Sequence, residues 1–256
     1  DRCRRRVMSP PAGSPTEPDL PTEVRAEAMT TRPGSSSGML LIVATPIGNL
    51  GDISERALEA LRGADLVVAE DTRRIAKLLS AFSNATPTES FHGDSSTGKR
   101  DAITRRLTGG ATVAYVTDAG TPTISDPGAQ LVRAAVEAGA VIQPVPGPSA
   151  ITAALSICGF NADRFVFPGY PPRKGREREE FLAAALAFPF TVVIYEAPTR
   201  IASTLRDIAD LEPGRACVVC RELTKRFEET LRGPVEALAE HIAACEPRGE
   251  FVVVLE

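Results

Sequence analysis

No stretch of this chain stays apolar for the ~18 residues that a bilayer-spanning helix needs. The first residues, DRCRRRVMSPPAGSP, also lack the apolar centre of a secretory signal. A cytoplasmic protein without a membrane partner is therefore expected. An excess of basic charge is missing too: 29 Lys and Arg stand against 33 Asp and Glu, a net charge of −4. Nucleic-acid binders are usually basic, so diffuse RNA affinity is disfavoured, and any RNA must be gripped by local basic patches. There is no GxxxxGK[ST], which argues against a P-loop NTPase, and no GxGxxG after the first strand, which argues against the usual dinucleotide fold. No set of residues has convincing metal-ligand spacing, so no metal is expected. Cys217-Val-Val-Cys220 has CxxC spacing but lies in a strand-like run, where positions i and i+3 face opposite ways. Two core cysteines are expected rather than a redox or zinc pair.

An apolar content of 43% over 256 residues marks a globular chain with room for one large domain or two small ones. Asp1 to Gly38 has no apolar periodicity and reads as a disordered tail, with Met29 or Met39 the favoured natural start. From Met39, apolar strands alternate with helices. Strands are expected at Leu40–Ala44, Asp65–Ala69, Thr112–Thr117 and Val141–Val145. Helices are expected at Ile53–Arg62 (with Asp52 and Glu55 as a capping box), Thr72–Ala81, Arg100–Leu107, Pro127–Ala138 and from Pro148 to about Ile157. Such alternation indicates a mainly parallel sheet covered on both faces. The pattern restarts with strands at Arg164–Phe167, Thr191–Tyr195, Ala216–Cys220, Phe227–Leu231 and Phe251–Leu255. Helices at Gly175–Ala187, Thr199–Asp210 and Val235–Ala244 lie between them. The last strand stops at Glu256 without a cap, so the natural terminus is expected further on. We expect an N-terminal α/β domain over 39–150, a C-terminal one over 151–256, and a cofactor cleft between them.

Three loops carry the chemistry. Val116 to Gly128, VTDAGTPTISDPG, leaves a strand through Asp118, Gly120 and Thr121 and opens a helix after Ser125-Asp126-Pro127-Gly128. Ala44 to Leu50, ATPIGNL, and Val145 to Ala150, VPGPSA, also follow strands. Open α/β sheets bind ligands at the carboxyl edge of their strands, where helix starts offer free N–H groups. Three such loops on one edge would cradle a polar ligand of mixed charge.

The blocks ATPIGNLGDIS, AEDTRR, VTDAGTPTISDPG, VPGPSAITAAL, PPRKGR, YEAPTR and RELTK, in that order, resemble the RsmI family, over Met39 to Glu256. The resemblance implies a tetrapyrrole-methylase-like (class III methyltransferase) fold of two α/β domains with S-adenosyl-L-methionine folded in the cleft. It also implies 2′-O-methylation of a cytidine ribose in 16S ribosomal RNA of the small ribosomal subunit, by a homodimer. By analogy Thr45, Pro46, Asp118, Gly120, Thr121, Ser125, Pro148, Ser149, Ala150 and Glu196 would line the cofactor, with Asp118 accepting one of its polar hydrogens. His92-Gly93-Asp94-Ser95-Ser96 departs from the HxHNE-like pattern expected there, so no base is placed on that loop.

A ribose hydroxyl is a weak acid and needs a base or a stabilising cation. Glu70 or Asp71 is the expected base, and Lys225 or Arg73 the expected cation. Arg73 and Arg74 sit at a helix start, where the dipole disfavours cations, so RNA phosphate or a carboxylate is their expected partner. Arg173, Lys174 and Arg176 follow two prolines with little acid nearby and are a second expected RNA contact, extended by Arg200. Two other readings stand: a tetrapyrrole-type small-molecule methyltransferase of the same fold, and a non-catalytic ribosome-binding protein.

Overall fold

The computed structural model describes residues 38–92 and 97–256. The expected tail, up to residue 37, and Gly93 to Ser96 lie outside the described residues. The first five strands are β1 (Met39–Val43), β2 (Leu66–Ala69), β3 (Thr88–Ser90), β4 (Thr112–Val116) and β5 (Val141–Val145). They form a wholly parallel sheet in the order β3-β2-β4-β1-β5. Its helices are α1 (Glu55–Gly63), α2 (Thr72–Ala81), α3 (Thr97–Thr108) and α4 (Ala129–Glu137). Ala57, Leu61, Ile75 and Leu79 of α1 and α2 cover one face; Ile103, Leu107, Leu131 and Ala135 of α3 and α4 cover the other. Because the strands are parallel, all their carboxyl ends open on one edge.

The capping box at Asp52 does not form. Asn49 accepts from the Gly51 N–H and winds Leu50–Asp52 into a short 3-10 turn, Ile53 is extended, and Ser54 caps α1 by accepting from the Ala57 N–H at 3.1 Å. A short hydroxyl one residue before the helix beats an acid already spent on a turn.

Next come α5 (Ala150–Cys158), β6 (Phe165–Gly169), α6 (Arg176–Leu186), β7 (Thr191–Glu196), α7 (Ile201–Leu211), β8 (Ala216–Arg221), β9 (Glu229–Pro234), α8 (Val235–Ala243) and β10 (Phe251–Leu255). Pro148 lies outside α5, whose N-cap is Ser149. The second sheet runs β6-β7-β10-β8-β9. Only β6 and β7 are parallel; β10 runs against both β7 and β8, and β8 against β9. The loop from β8 to β9 is too short for a parallel crossover, which takes a dozen or more residues. The strand expected from Phe227 starts at Glu229 instead, and Phe227 is exposed.

Alternation along these strands separates two cores. Val192, Ile194, Cys217 and Val219 meet α6, α7 and α8, while Val193, Val218, Cys220 and Val252 meet α5, Ile47 and Leu223. Cys217 and Cys220 thus occupy different cores, and burial pushes their thiols up to about 12 and about 11. The presence of Ile47 in the second core ties the loop after β1 to the second sheet. Among the described residues, no helix is long and apolar enough to cross a membrane.

Candidate active site

The loops after β1 and β4 are stitched together by one antiparallel bridge. The Thr45 N–H donates to the Gly120 carbonyl at 2.9 Å, and the Gly120 N–H returns to Thr45 at 3.0 Å. Gly120 sits at φ +81°, a region open to glycine, which lets the loop turn back onto Thr45. The strap divides the sheet edge into two cavities. On one side lies an open cleft. Ile47, Ala119, Gly120, Thr121 and Ile124 line it from the first sheet, Ser149 and Ala150 from the start of α5, and Tyr170, Tyr195, Leu223, Glu250, Phe251 and Val252 from the second sheet. On the other side is a side chamber, lined by Thr45, Pro46, Gly48, Leu50, Thr117, Asp118 and the α2 residues Arg74, Ile75, Lys77 and Leu78.

The cofactor residues expected from sequence therefore divide. Gly120, Thr121, Ser149 and Ala150 line the cleft, with the Thr121 hydroxyl donating to the Pro148 carbonyl at 3.2 Å. Thr45, Pro46 and Asp118 line the side chamber instead. Asp118 accepts from the Asp71 N–H at 3.1 Å and lies 3.5 Å from Arg74, so its carboxylate serves the start of α2. Glu196 is a correction. On β7 its neighbour Tyr195 lines the cleft, so period-2 alternation sends Glu196 to the opposite face. There its carboxylate, with 0% side-chain exposure, accepts from Thr204 at 2.5 Å and pairs with Arg200 at 2.5 Å and Arg178 at 3.7 Å. Arg200 is corrected with it: it is held by Glu196 and by the Pro171 carbonyl at 3.0 Å, not presented to a ligand.

Backbone strain concentrates at this site. Five non-glycine residues have positive φ among the described residues: Ser83, Thr123, Ser125, Glu222 and Thr224. The last four sit on just two loops, 118–128 and 222–225, and strain of this kind gathers at functional sites. Each loop is pinned. Asp126 Oδ1 accepts from the fully buried Tyr115 hydroxyl at 2.5 Å and from the Gly128 N–H at 2.8 Å, and Gly128 lies so close that an added Cβ would meet the Tyr115 ring at 2.1 Å. In the other loop Lys225 Nζ donates to Glu222 at 2.8 Å and to Glu250 at 2.9 Å. The stem of Lys225 lies against Gly48, where an added Cβ would meet its Cγ at 2.3 Å. Lys225 thus spans from the chamber wall at Gly48 to the cleft wall at Glu250.

The expected catalytic acids also part. Asp71 is the N-cap of α2, accepting from the Arg73 N–H at 2.8 Å. Glu70 is different: burial first, then the Asp126 and Asp118 carboxylates, raise its carboxyl above the usual range. Burial alone would lower Lys225, yet its hydrogen bonds to Glu222 and Glu250 raise it, so it stays an ammonium. Burial, with Tyr170 alongside, pushes the Tyr195 phenol up to about 12 against the pull of the Ile151 N–H. Arg73, Arg173, Lys174 and Arg176 are exposed, Arg176 being paired with Glu180 at 2.6 Å. Ile47, Ile124, Tyr170, Glu250 and the Tyr115–Asp126 pair are the site residues that sequence reasoning missed.

A strand-edge cleft walled by the face of a second, mixed sheet defines the class. The chain belongs to the family of tetrapyrrole (corrin/porphyrin) methylases, whose model matches residues 39–239. Within it, the chain is 43% identical over 219 residues to a Synechocystis protein named ribosomal RNA small subunit methyltransferase I, covering 85% of this chain and 78% of the relative. It is also 43% identical over 218 residues to the Thermotoga maritima protein of the same name, covering 85% and 98%. Among solved structures, diphthine synthase superposes with a TM-score of 0.68 at 16% identity, over 85% of this chain and 89% of that one. A Thermus thermophilus uroporphyrin-III C-methyltransferase, solved with S-adenosylhomocysteine, gives 0.59 at 16% identity, over 85% and 96%. At such identities these two show the fold.

Proposed function

We propose that this chain methylates the ribose 2′-hydroxyl of a cytidine in 16S ribosomal RNA of the small subunit, using S-adenosylmethionine. The observation that carries the reading is the likeness, at 41–45% identity over most of the chain, to relatives that share one name as small-subunit ribosomal RNA methyltransferases. The cleft fits the donor. Tyr170, Tyr195, Ile47 and Leu223 supply an apolar and aromatic wall for a nucleoside, and Ser149 gives α5 no side-chain cap, so N–H groups of the first turn stay available to a carboxylate.

When bound, S-adenosylmethionine supplies a sulfonium methyl, whose C–S electron pair leaves with sulfur as the ribose oxygen forms the new C–O bond. The chain's part is to align, exclude water and move a proton. Glu70 takes the hydroxyl proton: burial and the nearby carboxylates raise its carboxyl and so its basicity, whereas Asp71 is occupied as a cap. Lys225 offers a fixed positive charge near the reacting oxygen. Arg173 and Lys174, exposed beside the cleft residue Tyr170, hold RNA phosphate. A cytoplasmic homodimer would widen that surface on an acidic chain.

The test is transfer of labelled methyl from S-adenosylmethionine to small ribosomal subunits lacking the modification. Label on a cytidine ribose is the expected result. Label on a tetrapyrrole instead, or none at all, sinks the reading.

A further inference from the structure

The side chamber lies across the Thr45–Gly120 bridge from the cleft, and its composition is not that of a packing defect. Leu50 is 48% exposed on its wall and Pro46 and Leu78 lie beside it, forming an apolar strip. Arg74 and Lys77, one turn apart on α2, stand exposed at its rim. Arg74 lies in the first turn of α2, where the dipole disfavours cations and favours anions, so a bound phosphate would suit both its side chain and the helix, with Lys77 one turn further on. Asp118 meets Arg74 only at 3.5 Å and keeps 30% of its side chain exposed, leaving an acceptor for a hydroxyl or amino group.

The chamber also shares walls with the donor cleft. Residues of the two strap loops divide between the cavities: Ile47, Ala119 and Gly120 line the cleft, and Thr45, Pro46, Gly48, Thr117 and Asp118 the chamber. Lys225 links them, its stem on Gly48 and its ammonium on Glu250.

We infer that the side chamber receives the target ribonucleotide itself, with its phosphates on Arg74 and Lys77 and its base on Pro46, Leu50 and Leu78, across the Thr45–Gly120 bridge from the methyl donor. This deepens the proposed function and rests on it. Exposed cations with an apolar strip between them match the chemistry of a single unstacked nucleotide, whose base must leave its neighbours to be gripped alone. The inference separates two basic surfaces: the chamber takes the nucleotide that reacts, and the loop at Arg173 and Lys174 takes backbone further along.

Saturation-transfer NMR on millimolar cytidine 3′,5′-bisphosphate tests this, with the enzyme saturated in S-adenosylhomocysteine so that the cleft is filled. Transfer to the nucleotide is expected in wild type. Affinity should fall roughly tenfold for each cation removed in Arg74→Ala and Lys77→Ala, the effect of one hydrogen bond to a charged group. It should be unchanged in Arg173→Ala/Lys174→Ala. No transfer in wild type, transfer that survives the Arg74→Ala/Lys77→Ala double variant, or transfer abolished by S-adenosylhomocysteine overturns the assignment. The two readings fail separately. A protein that methylates subunits but binds nucleotide independently of Arg74 and Lys77 loses only the chamber. One that binds nucleotide there but labels a tetrapyrrole loses only the reaction.

Discussion

The two sheets of this protein use the same number of strands for opposite purposes. The first, all parallel, gathers its strand ends on one edge and puts polar loops there: the Asp118 loop, Glu70, and the strap at Thr45 and Gly120. The second is mixed and offers a face rather than an edge, with Tyr195 and Val252 toward the cleft and Glu196 buried behind. An edge supplies loops with free backbone groups, while a face supplies a rigid wall. The buried ion network behind that wall is its anchor. Arg178 reaches the Pro172 carbonyl at 3.2 Å and Arg200 reaches Pro171 at 3.0 Å, so the basic loop that follows Tyr170 is tied down from the side away from the cleft.

The largest effect should come from breaking that anchor. Arg178 is 6% exposed and bonds Asp207 at 2.6 Å and Thr204 at 2.7 Å. Arg178→Ala leaves Glu196 with Arg200 as its one cation and removes the bonds to Asp207 and Thr204, and should cost about 3 kcal/mol in urea unfolding, the lower end for a broken buried pair. A loss below about 1 kcal/mol would mean the network is ordinary surface pairing. Gly128→Ala strikes the first sheet instead. The new Cβ has to displace the Tyr115 ring, an overpacking cost of about 1–3 kcal/mol. Because Gly128 closes the strained 118–128 loop, S-adenosylmethionine affinity measured by calorimetry should fall as well, whereas Arg178→Ala should leave it nearly unchanged. If both variants weakened the donor equally, the division between edge and wall would be wrong.

The smallest effect is on the pH profile. In the proposed reaction Glu70 must be ionised to accept a proton, so kcat/KM should fall as pH drops through its raised pKa. Asp118→Asn removes one of the negative charges that raise it, so the acid limb should move to lower pH while the limb of Arg178→Ala stays in place. A limb that does not move in Asp118→Asn removes Glu70 from the proposed reaction.

Much of this was legible in the sequence where one signal acted alone. Thr72–Ala81, Val141–Val145 and Phe251–Leu255 are found where apolar period and breakers place them. β3 was not foreseen, because Thr88-Glu89-Ser90 is a short polar strand on a sheet edge with no apolar alternation to betray it. The mixed order of the second sheet was hidden because strand direction leaves no mark on composition; β10 at the chain end slides between β7 and β8. At the site, the glycines and acids of the three loops stand out, but which cavity each residue faces depends on the path of the loops beyond the strand ends, where Thr117 and Asp118 line the chamber and Ala119 and Gly120 the cleft. Inside β7, period-2 alternation already places Tyr195 and Glu196 on opposite faces. Tyr170 and Glu250 come from distant segments that only tertiary folding brings to the cleft.

The bridge between Thr45 and Gly120 is a partition one hydrogen-bonded pair thick. Two ligands on either side of so thin a septum cannot be energetically independent once either one shifts it. Linkage then requires reciprocity: if the donor tightens the nucleotide by some factor, the nucleotide tightens the donor by the same factor. The spent donor, lacking its methyl, would press differently on the septum, and so release of one product would set the grip on the other.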